Sequence, residues 1–157
     1  MNIISFDNVI KDPEEYVEDI LKQSFQDFDD NGIIFKNVQG RSNDEFENAV
    51  LQLFPNYEAK WNFVRKSPLH QQEPTFIHND AAMSDVTVIL YLNKYHPDND
   101  GTTIYDEENK PICAIYSKFN RMIAFESELM HSRNIFENFG EGDSSRLIQV
   151  IFLKQKV

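Results

Sequence analysis

From residue 60 onward the chain breaks into short runs separated by turns, and two of those runs, 86–92 and 147–153, are apolar almost throughout. Runs of that length and character suit buried strands, and a succession of them suits a sheet-on-sheet core. Strands are predicted at 61–66, 74–80, 85–93, 102–105, 111–116, 121–126, 131–135 and 146–154. The first part of the chain reads differently. Residues 2–6 form a short strand, and Asp12-Pro13-Glu14-Glu15 is a helix start, with Asp12 as cap and Pro13 in the first turn. Tyr16, Val17, Ile20, Leu21, Ser24, Phe25 and Phe28 share one helical face, which predicts a helix running to a turn at Asn31-Gly32. A strand at 33–38 follows. Ser42, with Glu45 three residues on, then opens a second helix with Phe46, Ala49, Val50, Leu53 and Phe54 on its apolar side, closed by Pro55.

The fold class is therefore mostly β with N-terminal helices: a jelly roll (double-stranded β-helix) with two helices packed on its outside. One domain spans 1–157, with 1–58 as helical N-terminal support and 59–157 as the jelly-roll core. A length of 157 residues suits one core, and 13 Phe residues make that core rich in aromatic packing.

Charge and composition narrow the function. A net charge of −11 argues against a nucleic-acid backbone as partner and favours a small molecule or a neutral or basic peptide. No apolar stretch is long enough to cross a bilayer, and the N-terminus has no basic region followed by an apolar one, so no membrane or secretory role is expected. Cys113 is the single cysteine, which rules out an intrachain disulfide; it is read as a small buried apolar residue in a cytoplasmic protein. Oligomeric state is not legible.

The chemistry concentrates in His78-Asn79-Asp80, answered downstream by His131 and Arg146. Along a strand, i and i+2 share a face, so His78 and Asp80 can meet one ion while Asn79 points away. Two imidazoles and one carboxylate can take one face of an octahedral metal and leave the other face open.

After the triplet come Asp85-Val86-Thr87-Val88-Ile89-Leu90-Tyr91-Leu92-Asn93, then Gly101-Thr102-Thr103, then Met130-His131-Ser132, then Arg146-Leu147-Ile148-Gln149. In this order the segments resemble the prolyl 4-hydroxylase-like branch of the 2-oxoglutarate/Fe(II) dioxygenases, over roughly residues 74–153. The resemblance implies that His78, Asp80 and His131 are the Fe(II) ligands. It implies that Arg146 and Tyr91 hold the distal carboxylate of 2-oxoglutarate, with Thr87 lining that pocket on the face Tyr91 shares. It implies O2 as oxidant, ascorbate as reductant, and hydroxylation of an amino acid, prolyl, peptide or other small substrate with release of succinate and CO2. Arg65, on the strand before the triplet, is implied to contact substrate.

The chain departs from the family pattern twice. Asp100-Gly101 stands where a Gly pair is common, and the interval from His131 to Arg146 is long, which makes Arg133 a competitor for the anchor. Arg146 is preferred because it opens an apolar strand, where an Arg needs an anion. The other functional class is a cupin-like module that binds metal or ligand without turnover. His70 and His96 are read as solvent-facing, Arg121 as structural, Trp61 as core, and Tyr105 and Tyr116 as strand aromatics.

Overall fold

The computed structural model describes residues 2–72 and 76–157. Its elements run in the order β1 (Ile3–Asp7), α1 (Pro13–Leu21), β2 (Gln26–Asp30), β3 (Ile33–Gly40), α2 (Glu45–Leu53), β4 (Tyr57–Ser67), β5 (Val86–Tyr91), β6 (Gly101–Tyr105), β7 (Pro111–Tyr116), β8 (Arg121–Glu126), β9 (Met130–Arg133) and β10 (Arg146–Gln155). They form a seven-stranded sheet, β1-β8-β5-β10-β4-β3-β2, facing a three-stranded sheet, β7-β6-β9. The pairings are antiparallel. This is the jelly roll expected from the pattern.

Alternation divides the larger sheet into two buried faces, which explains the unbroken apolar runs in β5 and β10. On β10, Leu147, Ile151 and Leu153 join the core under the helices with Ile20, Phe46 and Val50. Val150 and Phe152 face the smaller sheet, packing with Ile89, Ile104, Ile123 and Phe125. Gln149 is fully buried on the helix side, where its Nε2 donates to Asn62 Oδ1 (2.7 Å) and Asp44 Oδ2 (2.8 Å). The Tyr16 hydroxyl lies 2.6 Å from Gln149 Oε1. These bonds satisfy polar groups that would otherwise be costly in a core, and they tie both helices to the sheet.

Four expectations need correction. The first helix stops at Leu21, and Gln26–Asp30 is an edge strand. Asn31 (φ 53°) and Gly32 (φ 90°) are the two-residue turn of the β2–β3 hairpin. The helical spacing of Phe25 and Phe28 was coincidental, and the Asn-Gly pair was the stronger signal because both positions need positive φ. The second helix is capped by Asp44, whose Oδ1 accepts from Glu47 N (2.9 Å), while Ser42 lies outside it. No strand spans 76–80, where His78 makes a single bridge; positions 74 and 75 lie outside the described residues. Finally, Trp61 is 53% exposed and packs edge-on against Phe28 near the sheet edge.

Other readings can be placed directly. Asp12 Oδ1 accepts from Glu15 N at the start of α1. β1–β3 are strands of the larger sheet, and β4 crosses the 58/59 division. Cys113 is half-buried. Among the described residues no helix is long and apolar enough to cross a membrane.

Candidate metal and anion site

His78 and His131 are directly opposed in the backbone. His78 N donates to His131 O (3.0 Å) and His131 N to His78 O (2.8 Å). Facing residues of such a pair project to the same side, and the two ring centroids lie 4.4 Å apart. Asp80, two residues beyond His78, falls between them. Its Oδ1 is 3.4 Å from His78 Nε2 and its Oδ2 is 3.2 Å from His131 Nε2. One donor atom from each residue lies within 4.8 Å of the others.

The far side of each ring sets its tautomer. His78 Nδ1 lies 2.9 Å from Phe76 O, and His131 Nδ1 lies 3.0 Å from Leu129 O. A carbonyl only accepts, so each Nδ1 carries the proton and each Nε2 turns a lone pair toward Asp80. Lone pairs facing a carboxylate repel unless a cation sits among them. A proton can serve, and burial, which pulls His78 down, is outweighed by Asp80 and the Phe76 carbonyl, so its pKa is raised. Burial likewise pushes Asp80 up, but His131 and His78 outweigh it and hold the carboxyl well below its usual range. A divalent metal would satisfy all three donors at once, and the donor set fits Fe(II).

A chain of hydroxyls holds Asp80. Thr87 donates to Asp80 Oδ2 (2.9 Å), leaving its oxygen to accept from Ser127 Oγ (2.9 Å), which in turn meets Ser84 Oγ (2.6 Å). Asp80 N also donates to Ser127 O (2.8 Å). Thr87 thus supports the carboxylate through its hydroxyl. Sequence reading missed Ser84 and Ser127, because two serines 43 residues apart carry no local signal.

The expected anchor lies farther along the same interior. Arg146 is 5% exposed and faces Asp100, itself 2% exposed, with Nε and Oδ1 3.5 Å apart. Tyr91 is buried, and its hydroxyl meets Thr102 Oγ1 at 2.6 Å. Burial pushes Tyr91 up, so it remains a phenol with a proton to donate. Arg133, the competitor, is tied to the next loop through Asn138 Oδ1 (2.8 Å) and Glu137 O (3.2 Å). Arg65 sits over the Phe35 ring at 5.2 Å. Arg121 is bound to Asp7 and to Tyr116 O, a structural role. His70 is exposed, and His96 is half-buried against Pro97 O and Ser117. Two open clefts of about 390 and 470 Å³ share Phe136 and Glu137 in their walls, and neither is lined by His78, Asp80 or His131.

No family model matches the chain, and no curated protein matches it by sequence. Solved structures do match. The non-heme alpha ketoglutarate dependent epimerase SnoN from nogalamycin biosynthesis is similar with TM-score 0.65 and 10% identity, over 98% of this chain and 76% of that one. EctD from S. alaskensis, solved with 2-oxoglutarate and 5-hydroxyectoine, is similar with TM-score 0.64 and 12% identity, over 99% and 72%. HygX from Streptomyces hygroscopicus, with nickel, 2-oxoglutarate and hygromycin B bound, gives TM-score 0.62 and 10% identity, over 99% and 83%. At these identities the likeness establishes the fold. None of the three is described as a prolyl 4-hydroxylase.

Proposed function

We propose that the chain is a 2-oxoglutarate- and Fe(II)-dependent oxygenase that hydroxylates an amino acid, a prolyl or other peptide residue, or another small substrate. The observation that carries this reading is the convergence of His78, Asp80 and His131, with both Nε2 atoms turned toward Asp80. The fold supports it, since similar structures hold 2-oxoglutarate and a metal. The prolyl 4-hydroxylase-like branch rests on the sequence resemblance.

In this reading His78, Asp80 and His131 hold the iron. With 2-oxoglutarate and O2 bound, the iron supplies the oxidising chemistry that yields hydroxylated product, succinate and CO2, with ascorbate keeping it reduced. The protein's own contribution is placement. The hydroxyl chain from Ser84 to Thr87 fixes the carboxylate, and the two backbone carbonyls fix the imidazoles. Arg146 and Tyr91 supply a guanidinium fork and a phenol to the distal carboxylate of the co-substrate. Arg65 is the proposed substrate contact. The acidic surface favours a neutral or basic substrate over a nucleic acid.

One observation favours the cupin-like binding module: Arg146 already faces a carboxylate, Asp100. Succinate release separates the two readings. Iron-loaded protein given 2-oxoglutarate, ascorbate and oxygen should form succinate, faster when a panel of amino acids and peptides contains the substrate. Metal binding with neither 2-oxoglutarate binding nor succinate under any of these conditions establishes the module instead.

A further inference from the structure

Three consecutive residues engage both groups expected to grip the co-substrate. Asp100 faces Arg146, Thr102 meets the Tyr91 hydroxyl, and Gly101 lies between them. The segment has little freedom to place these side chains elsewhere. Asp100 N donates to Pro97 O (3.1 Å), Ser117 N to Asp100 O (2.8 Å) and Asn134 N to Gly101 O (2.9 Å). Gly101 has φ +149°, and a Cβ there would stand 2.0 Å from Ile115 O. Only glycine fits at this first position of β6, and Asp100 immediately before it is buried.

The contact it makes is incomplete. Both residues are more than nine-tenths buried, yet neither Arg146 Nε nor Asp100 Oδ1 has a hydrogen-bond partner among the described residues. A guanidinium fork matched to a carboxylate makes two parallel N–H···O bonds of about 2.7–2.9 Å. The 3.5 Å approach gives charge neutralisation without that match.

We propose that Asp100 is an internal competitor for the anion site of Arg146, a carboxylate of the chain itself that lowers affinity for a dicarboxylate co-substrate. This rests on the reading of Arg146 and Tyr91 as the co-substrate anchor. An incoming distal carboxylate meets a neutralised pair instead of a bare cation, and it gains the site by offering Arg146 the bidentate geometry that Asp100 does not. The phenol of Tyr91 is released from Thr102 in the same exchange. Asp100 thereby sets the concentration of 2-oxoglutarate at which the site fills.

The test is a calorimetric titration of 2-oxoglutarate, and of glutarate as a dicarboxylate without the keto group, into Mn(II)-loaded wild type and Asp100→Asn. Removing the competing charge should tighten both dicarboxylates by about tenfold or more. Mn(II) affinity should not change, because Asp100 lies outside the donor set. Asp100→Ala gives the same comparison if the Asn variant does not fold. Wild type that binds 2-oxoglutarate, with variants that bind it equally or more weakly, overturns the competitor role and leaves the proposed function standing. Proteins that all bind Mn(II) and none of which bind 2-oxoglutarate overturn the proposed function, and this inference with it.

Discussion

His78 and His131 donate their backbone amides to each other's carbonyls across a single antiparallel bridge, and this pairing brings the two imidazoles together from positions 53 residues apart. The bridge lies beside β6, so the ring positions are set by a sheet and not by a loop alone. Loss of a metal ligand should therefore leave the fold in place, and a shift in that pairing should abolish the site.

Asp80→Ala should abolish tight binding of Fe(II), and of Mn(II) as a redox-silent substitute. The metal-free variant should stay folded with a lower melting temperature, because Thr87, His78 and His131 lose the carboxylate they face. Calorimetry that finds unchanged affinity removes Asp80 from the site.

Thr87→Val keeps the shape of the side chain and deletes its hydrogen bond to Asp80 Oδ2. Partners of this kind typically contribute about 10–100-fold in metal affinity. A loss in the lower part of that range is expected, with Ser127→Ala producing a smaller one. If Thr87→Val titrates with Mn(II) like wild type, the hydroxyl chain does not orient the carboxylate.

Arg146→Ala should raise the apparent Km for 2-oxoglutarate by roughly 30-fold to several thousand-fold, the equivalent of about 2–5 kcal/mol. Arg133→Ala should do much less, since its guanidinium hydrogen-bonds to Asn138 and Glu137 in the adjoining loop. Arg146→Ala also strands the buried carboxylate of Asp100, so it should destabilise the fold by about 3–5 kcal/mol. The pair Asp100→Asn with Arg146→Gln should recover most of that stability without restoring co-substrate binding. Denaturant melts and a 2-oxoglutarate titration on the same samples separate the two effects, and a large Km effect confined to Arg133→Ala reverses the anchor assignment.

Asp44 links the pH dependence of stability to the helices. Burial pushes its carboxyl up, but the Glu47 amide, Gln149, Arg41 and Tyr16 outweigh this and hold it below the ordinary range. Its stabilising contribution is then complete above the unfolded carboxyl range near pH ~4 and is lost as pH falls through the lower folded value. Asp44→Ala should cost about 2–4 kcal/mol at neutral pH, from a lost cap and a broken buried network. The difference from wild type should shrink in melts at pH ~3. A constant difference across that interval excludes Asp44 from the acid transition.

The strands of the jelly roll were legible because burial on both faces leaves long apolar runs, as in β5 and β10. His78, Asp80, His131, Tyr91 and Arg146 were legible as residue types at meaningful spacings. The tertiary structure decided what each one touches. Period alone could not tell a helical Phe25–Phe28 face from an edge strand, because pairing with β3 overrides local preference there. Nor could the sequence show that Thr87 supports Asp80, that Ser127 and Ser84 complete its hydroxyl chain, or that Trp61 lies exposed beside Phe28. The burial argument that singled out Arg146 asked only for an anion. Chain folding supplies one in Asp100, the residue just before β6, whose carboxylate lies beside the guanidinium. Spacing along a chain encodes which side chains share a face. Contacts between faces depend on how the sheets close, and that is decided only in three dimensions.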